Sequence, residues 1–157
     1  MKSVEDHNSH FIALLRYIDC QFSRIIINTV SEDHILKPIK NGKNVIHVAA
    51  EIGLLSTLNQ LCKKVKSPFV LDDKGNSSIH YAASEGHLQI LQMLHKYLKS
   101  SGTDLTIPNG NGDTPLQLAK LKGHSKVVKY LVECERKQIK DNYNKQRYSI
   151  VMQKIKL

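Results

Sequence analysis

The chain has 157 residues, 41% of them apolar, which is long enough for one domain with a buried core. Its formal net charge of +9 favours acidic proteins, nucleic acid or anionic lipid as partners over neutral surfaces. Its three cysteines are widely separated and form no CxxC pair, which argues against both a disulfide framework and a zinc site.

The N-terminal region, residues 1–38, is expected to form a degenerate pair of helices that caps the segments after it. Its first ten residues are polar and charged, and apolar residues then recur at helical spacing on both sides of a short break. These apolar residues are Phe11, Leu14, Leu15, Ile18, Phe22, Ile25 and Ile26. The β-branched run from Ile25 to Ile27 leaves a strand as the alternative.

Three segments after residue 38 repeat one order of features: a glycine turn, a short helix, a second glycine and a longer amphipathic helix. The turn glycines are Gly42, Gly75 and Gly112, spaced by 33 and then 37 residues. A period of this length predicts a solenoid, in which each unit buries its apolar face against its neighbours. The four extra residues of the second unit amount to about one helical turn, and we expect them to lengthen its outer helix.

The residues shared by these segments carry a family resemblance. The first has Ile46-His47 and Ala49-Ala50, the second Ile79-His80 and Ala82-Ala83, and the third Thr114-Pro115-Leu116 followed by Gln117 instead of histidine. Over about residues 39–132 the chain therefore resembles the ankyrin repeat family. The second segment also contains Gly102-Thr103-Asp104, which is similar to the Gly-Ala-Asp of that family.

The resemblance implies an all-α ankyrin-repeat solenoid of stacked helix-turn-helix units with protruding turns. We expect repeats at about 39–71, 72–108 and 109–134. Their helix pairs are predicted at about 45–52 and 55–63, 78–85 and 88–99, and 114–121 and 124–134.

The C-terminal region, residues 135–157, is a basic helix or tail without glycine or proline. A weak apolar stripe, which includes Ile139 and Tyr143, favours a helix that caps the last repeat. The alternative is a mobile basic arm that becomes ordered on an acidic partner.

No pattern of reactive side chains predicts catalysis, a metal site or a bound cofactor. The resemblance implies that His47 and His80 bridge neighbouring turns, and no third or fourth metal ligand accompanies them. His87 and His124 open outer helices, where a polar side chain can satisfy unpaired backbone N–H groups. None of the glycines lies in a phosphate-binding pattern. We therefore expect a protein that is not an enzyme.

The resemblance also implies a partner-binding surface formed by the turn tips and the exposed face of the inner helices. Carried over position by position, it comprises Lys40, Asn41, Lys43, Glu51, Ile52, Asp73, Lys74, Asn76, Ser84, Glu85, Gly110, Asn111, Asp113, Leu121 and Lys122. Ile52 and Leu121 are apolar at positions that normally face water, which favours a partner that covers them. The alternative is that both pack on the N-terminal pair or on the tail.

Together these features predict a non-catalytic module that binds a partner protein with an acidic surface. The alternative is binding of nucleic acid or another anionic surface through the basic tail. A module of this size is compatible with a fragment of a larger scaffold, a competitive inhibitor or an effector made by an intracellular microbe. Abundant lysine, asparagine and isoleucine favour a microbial or viral source. No run approaches the length of a membrane span, and no signal peptide is evident, so we expect an intracellular location, cytoplasmic or nuclear, or the host cytosol for an effector. A monomer is favoured, although the sequence does not determine the oligomeric state.

Overall fold

The computed structural model describes residues 25, 27–101 and 105–155, with side chains for 25, 27–98 and 105–147. The predicted capping helices before residue 25 and the Gly102-Thr103-Asp104 motif lie outside these residues. The helices with defined bounds are α1 (Glu32–Leu36), α2 (Val45–Glu51), α3 (Leu55–Lys64), α4 (Ser78–Ser84), α5 (Leu88–Ser101), α6 (Pro115–Leu121) and α7 (Ser125–Ile155). The described residues contain no strand, and residues 27–29 are helical, so the all-α prediction is confirmed.

The helices form two layers. The inner helices stack in the order α2, α4, α6, and the outer helices in the order α3, α5, α7. The inner layer packs closely because its contact positions are alanines: Ala49, Ala50, Ala82, Ala83 and Ala119 are all 1% exposed or less. This is the stacked helix-turn-helix arrangement of a solenoid.

The outer helices supply the large side chains of the core. Leu58, Leu61, Leu91, Leu94 and Leu131 are all fully or almost fully buried, as their helical spacing predicts. In α7 the buried residues before Leu131 differ in degree. Val127 is fully buried, whereas Val128 is only partly buried.

The four extra residues of the second repeat lie in its outer helix, as predicted. Helix α3 has 10 residues and α5 has 14. The next turn glycine follows the last residue of each helix, Lys64 or Ser101, by 11 positions. The insertion therefore adds about 6 Å to one helix and leaves the connection after it unchanged in length.

The protruding turns stack on one another through backbone hydrogen bonds. The Asp73 N–H donates to the Asn41 carbonyl at 3.2 Å, and the Gly110 N–H donates to the Lys74 carbonyl at 2.8 Å. Glycine is required at Gly75, where φ is +73° and a Cβ atom would lie 2.5 Å from the Gly110 nitrogen. The same stacking that joins the repeats therefore excludes a side chain at this turn.

Helix α7 continues without a break across residue 134, where the sequence analysis places the end of the last repeat. Its first turns are packed, with Val127 and Leu131 buried, but residues 139–147 are all exposed. Ile139 and Tyr143 are 69% and 61% exposed, so these two side chains of the predicted stripe do not cap the repeat. Within the described part of the chain, no helix combines the length and apolar character needed to cross a membrane.

Candidate partner-binding surface

Each inner helix begins with a reciprocal capping box, which defines its first residue. The side chain three residues after the cap accepts a hydrogen bond from the N–H of the cap residue. These pairs are Asn44 with His47 at 3.0 Å, Ser77 with His80 at 3.1 Å, and Thr114 with Gln117 at 2.6 Å. Gln117 thus performs the capping role of the histidine that it replaces.

His47 also joins the first repeat to the second, as the resemblance implies. Its Nδ1 accepts from the Asn44 N–H, so Nε2 carries the proton and donates to the Val70 carbonyl at 2.8 Å. The side chain is buried, and burial lowers the pKa of His47 because the charged form loses its hydration. Both ring nitrogens are used structurally.

His87 and His124 have a different structural role from the predicted one. Their Nε2 atoms bond to the carbonyls that end the preceding inner helix, Glu51 at 3.0 Å and Ser84 at 2.8 Å. Each ring lies over the glycine between the helices of the preceding repeat. The two histidines therefore connect repeats, and the unpaired groups that they satisfy are C-terminal carbonyls and not helix N–H groups.

None of the predicted surface residues is buried. Lys40, Asn41, Asp73, Lys74, Glu85, Gly110, Asn111, Leu121 and Lys122 are exposed. Lys43, Glu51, Ile52, Asn76, Ser84 and Asp113 are partly buried. Counted by charge, the set contains four lysines and four carboxylates, so this surface is balanced. The cationic excess of the chain lies elsewhere.

At the first repeat the structure brings two of these predicted residues into contact. Lys43 Nζ lies 2.9 Å from Glu51 Oε1 and 3.0 Å from Oε2, so the ammonium group contacts both carboxylate oxygens. Both side chains remain about one-third exposed. An ion pair exposed to this extent contributes little to stability, and both groups remain accessible to a partner.

Tyr81 is a central residue of this surface that sequence reasoning missed. Lys43 Nζ lies 4.2 Å from the centre of the Tyr81 ring, a cation–π contact between the first and second repeats. The ring edge also meets His47, with centroids 5.8 Å apart. The available signal was an aromatic residue at the position that Val48 and Leu118 occupy in the other repeats.

Asp72 organises the second turn beneath this tyrosine. Its Oδ1 accepts from the Lys74 N–H at 2.9 Å and the Asn76 N–H at 2.7 Å. Burial alone would raise the pKa of Asp72, but hydrogen bonds from the Tyr81 hydroxyl and from these backbone groups outweigh it, so that the pKa is lowered. Burial and the nearby carboxylate raise the pKa of Tyr81.

Asn109 repeats the Asp72 arrangement one turn further along the stack. Its Oδ1 accepts from the Asn111 N–H at 3.0 Å and the Asp113 N–H at 2.9 Å. Its amide nitrogen donates to Asn76 Oδ1 at 2.9 Å, which links the second and third turns. Asn76 is therefore held in place from both sides.

The two apolar residues of the predicted surface differ in exposure. Leu121 is 81% exposed, whereas Ile52 is partly buried. The alternative that both pack on another part of this chain is therefore wrong for Leu121. Among the residues that the structure describes, no group of three histidine, cysteine or carboxylate side chains could hold a metal ion.

Comparison with known proteins places this architecture in a family. The model of ankyrin repeats (3 copies) matches residues 9–109, and that of a single ankyrin repeat matches residues 111–142. The first match begins within the region that the sequence analysis assigns to a degenerate helix pair.

Curated relatives are similar to part of this chain. An IkB-like protein of African swine fever virus is 33% identical over 92 residues, which are 55% of this chain and 39% of that protein. Human ankyrin repeat domain-containing protein 63 is 33% identical over 92 residues, which are 59% of this chain and 24% of that protein. Mouse synphilin-1 is 33% identical over 100 residues, 61% of this chain and 10% of that protein. The chain thus spans well under half the length of these relatives. The repeated glycine turns, the stacked helix pairs and the family matches together show that this chain belongs to the ankyrin repeat family.

Proposed function

We propose that the chain is a non-catalytic module that binds a partner protein through its concave surface. We use this name for the turn tips and the exposed face of the inner helices, as described above. The observation that carries the proposal is the exposure of Leu121. Leu121 ends the last inner helix, α6, at the position that Glu51 and Ser84 occupy in the other repeats. Leu121 is 81% exposed, so most of its apolar surface gains nothing on folding, and burial against a partner would remove that surface from water.

The fixed positions of Tyr81 and Asn76 in the second repeat support the same proposal. Tyr81 and Asn76 are each held by hydrogen bonds to neighbouring side chains or turns, so their positions are set before a partner arrives. A preorganised surface loses less conformational entropy on binding. An interface of standard size takes about 800 Å² from each partner, which three stacked repeats can offer.

The test compares two exposed apolar residues. A photo-crosslinking residue is placed at Leu121 in one full-length variant and at Ile139 of α7 in the other, and crosslinked proteins from cell lysate are identified. We expect a specific protein adduct at position 121. An excess of unlabelled wild-type chain should compete with its formation, whereas an excess of unlabelled chain carrying Leu121→Ser should not. An adduct that forms only at position 139 would contradict the concave-surface proposal.

The alternative function, binding of an anionic surface through α7, rests on one observation. Residues 136–147 are helical and carry Arg136, Lys137, Lys140, Lys145 and Arg147 against Asp141 alone. Nucleic-acid binding through these cations would weaken steeply with salt. Replacing Lys140, Lys145 and Arg147 with glutamine would abolish it, whereas Leu121→Ser would leave it unchanged.

We also propose an acidic partner, an intracellular location and an effector role. The preference for acidic surfaces is supported by the cations of α7, because the concave surface itself is charge-balanced. The effector role is supported by similarity to the viral IkB-like protein. Imaging of the tagged chain in animal cells tests the location, and the crosslinked partner, once identified, tests its acidity.

A further inference from the structure

The net charge of the chain lies in its outer helices. Helices α3, α5 and α7 contain twelve lysine and arginine residues and three carboxylates, and all three carboxylates belong to α7. The net charge of these helices, +9, equals that of the whole chain, so the remaining residues are neutral in sum. Because the outer helices lie side by side, the fold gathers the positive charge in one layer, and the concave surface belongs to the other.

A groove of about 450 Å³ lies between α3 and α5 in this cationic layer. Its polar lining consists of Ser56, Asn59, Gln89, Gln92 and Lys96, and none of the described residues that line it is a carboxylate. The Tyr97 hydroxyl donates to Asn59 Oδ1 at 3.1 Å, which orients the amide and leaves its N–H₂ group as the donor. The groove therefore offers hydroxyl, amide and ammonium donors side by side.

The lining positions of this groove carry lysine in the third repeat. Counted from the glycine between the two helices of each repeat, Gln89 and Gln92 of α5 correspond to Lys126 and Lys129 of α7. All four side chains are exposed. The donors of the groove thus continue onto α7 as two cations.

Two further equivalent residues, Lys63 of α3 and Lys96 of α5, are also exposed. The corresponding residue of α7 is Glu133, whose carboxylate lies 3.7 Å from Lys137 Nζ, so a nearby cation offsets its charge. We define the outer surface as the groove between α3 and α5 together with Lys63, Lys126 and Lys129. Its four ammonium groups extend over all three repeats.

The side chains of the outer surface discriminate between classes of anionic partner. Lysine, serine, asparagine and glutamine are among the residues that contact phosphate oxygens in protein–nucleic acid complexes. An anionic membrane or the core of a protein interface would instead require exposed apolar residues. Among the described residues, the large hydrophobic side chains that are exposed all lie outside this surface, and Leu55 and Met93 of the groove are partly buried. The observations therefore favour a nucleic acid.

We propose that the outer surface binds the sugar–phosphate backbone of a nucleic acid. The four lysines neutralise phosphates, and the amides of the groove donate hydrogen bonds to phosphate oxygens. Binding of this kind is independent of base sequence. The site spans three helices, whereas the alternative function described above uses residues 136–147 of α7 alone. It shares no residue with the concave surface, so its test is separate from that of the partner-protein proposal.

The test measures fluorescence anisotropy of a labelled DNA duplex, and of a labelled single strand, as full-length chain is added at increasing salt. We expect saturable binding whose logarithm falls with the logarithm of the salt concentration at a slope of about −3 to −4, as four lysine–phosphate contacts require. The form that binds more tightly identifies whether the ligand is a duplex or a single strand. No binding of either form at low salt would overturn the proposal.

Two triple variants with the same change of charge locate the site, and circular dichroism verifies that both are folded. The substitutions are Lys63→Gln, Lys96→Gln and Lys129→Gln in the first, and Lys140→Gln, Lys145→Gln and Arg147→Gln in the second. We expect the first to weaken binding at least about tenfold and to reduce the salt slope by about 3, and the second to weaken binding less than about threefold. The reverse order would assign binding to the end of α7 and contradict the proposal.

A neutral variant separates the hydrogen bonds of the groove from its charge. Asn59→Ala combined with Gln92→Ala should weaken binding about fivefold or more and leave the salt slope unchanged, because amides release no counterions. Polyglutamate, which is anionic but has no phosphate, should compete poorly, and Leu121→Ser should bind like the wild type. Unchanged affinity in the folded amide variant, or full competition by polyglutamate, would show that the surface selects negative charge alone and would refute a phosphate-backbone site.

Discussion

The Tyr81 hydroxyl donates a 2.5 Å hydrogen bond to Oδ2 of Asp72, which ties inner helix α4 to the turn that precedes it. Asp72 is 7% exposed, so this carboxylate depends on protein donors more than on water. Lys43 of the preceding repeat lies against the same ring. One side chain thus contacts both the turn before its own helix and the neighbouring repeat.

We predict that Tyr81→Phe lowers the free energy of unfolding by about 1–3 kcal/mol, because the buried carboxylate loses a donor. Urea denaturation monitored by circular dichroism measures the change. Tyr143→Phe is the matched control: the Tyr143 side chain is 61% exposed, and its substitution should change stability by less than about 0.5 kcal/mol. Equal effects of the two substitutions would show that the Asp72 bond contributes nothing to stability.

Asp72→Asn should lower the free energy of unfolding much less than Asp72→Ala does. Asparagine retains the oxygen that accepts from Lys74 and Asn76, and Asn109 already performs this role in the third turn. We expect the alanine variant to lose about 1–3 kcal/mol and the asparagine variant less than half of that.

The pH dependence gives a second readout of the same group. Because the pKa of Asp72 is lower in the folded chain than its ordinary value of 3.8, its contribution is complete above that value and declines as the pH falls below it. Urea midpoints measured from pH 5 to pH 2.5 should therefore fall less steeply for Asp72→Asn than for the wild type. A parallel decline in both proteins would contradict the assignment.

His47→Gln should retain the helix cap, as Gln117 does, and lose the bond to Val70. We expect this substitution to lower the free energy of unfolding by about 1 kcal/mol at pH 7.5. His80→Gln should lower it less, because His80 Nε2 makes no hydrogen bond that could be removed. Thermal unfolding of the two variants side by side measures the difference, and a larger effect at His80 would be the opposite of this expectation.

The wild type should also lose stability as the pH falls below about 6.5. Burial lowers the pKa of His47 and of His80 in the folded chain, so the unfolded chain binds more protons between the folded value and 6.5. Stability then rises with pH through this window and is complete above it. Urea midpoints between pH 5 and pH 7.5 should rise less for His47→Gln than for the wild type.

Gly86→Ala should destabilise the chain more than Gly123→Ala. Both glycines have positive φ, +78° and +76°, so each substitution introduces backbone strain of about 1–2 kcal/mol. At Gly86 the new Cβ would lie 2.6 Å from the His124 ring, whereas nothing lies within 4 Å of it at Gly123. Overpacking at Gly86 should add about 1–3 kcal/mol, which urea denaturation of both variants can resolve. Equal losses would show that the His124 ring moves aside freely.

Local patterns in the sequence were sufficient to predict the repeat architecture. The period of the glycine turns, the Ala-Ala pairs and the helical spacing of the leucines each depend on residues close together in the chain, and each predicted its element correctly. The lengthened outer helix of the second repeat followed from the spacing alone, because an insertion of four residues preserves the helical face. The predicted glycine turn at Gly42 is present, and both Asn41 and Gly42 have positive φ there.

The tertiary structure alone decided how residues of different repeats meet. Tyr81 contacts Lys43, which lies 38 positions earlier in the chain, and His87 bonds to Glu51, 36 positions earlier. Patterns among residues close together in the chain do not predict these contacts. It also decided that α7 continues past residue 134, that Leu121 remains exposed, and that His80 lines a cavity. Spacing along the chain specifies which face of a helix is apolar, but the distance between two stacked units depends on how all their side chains pack together.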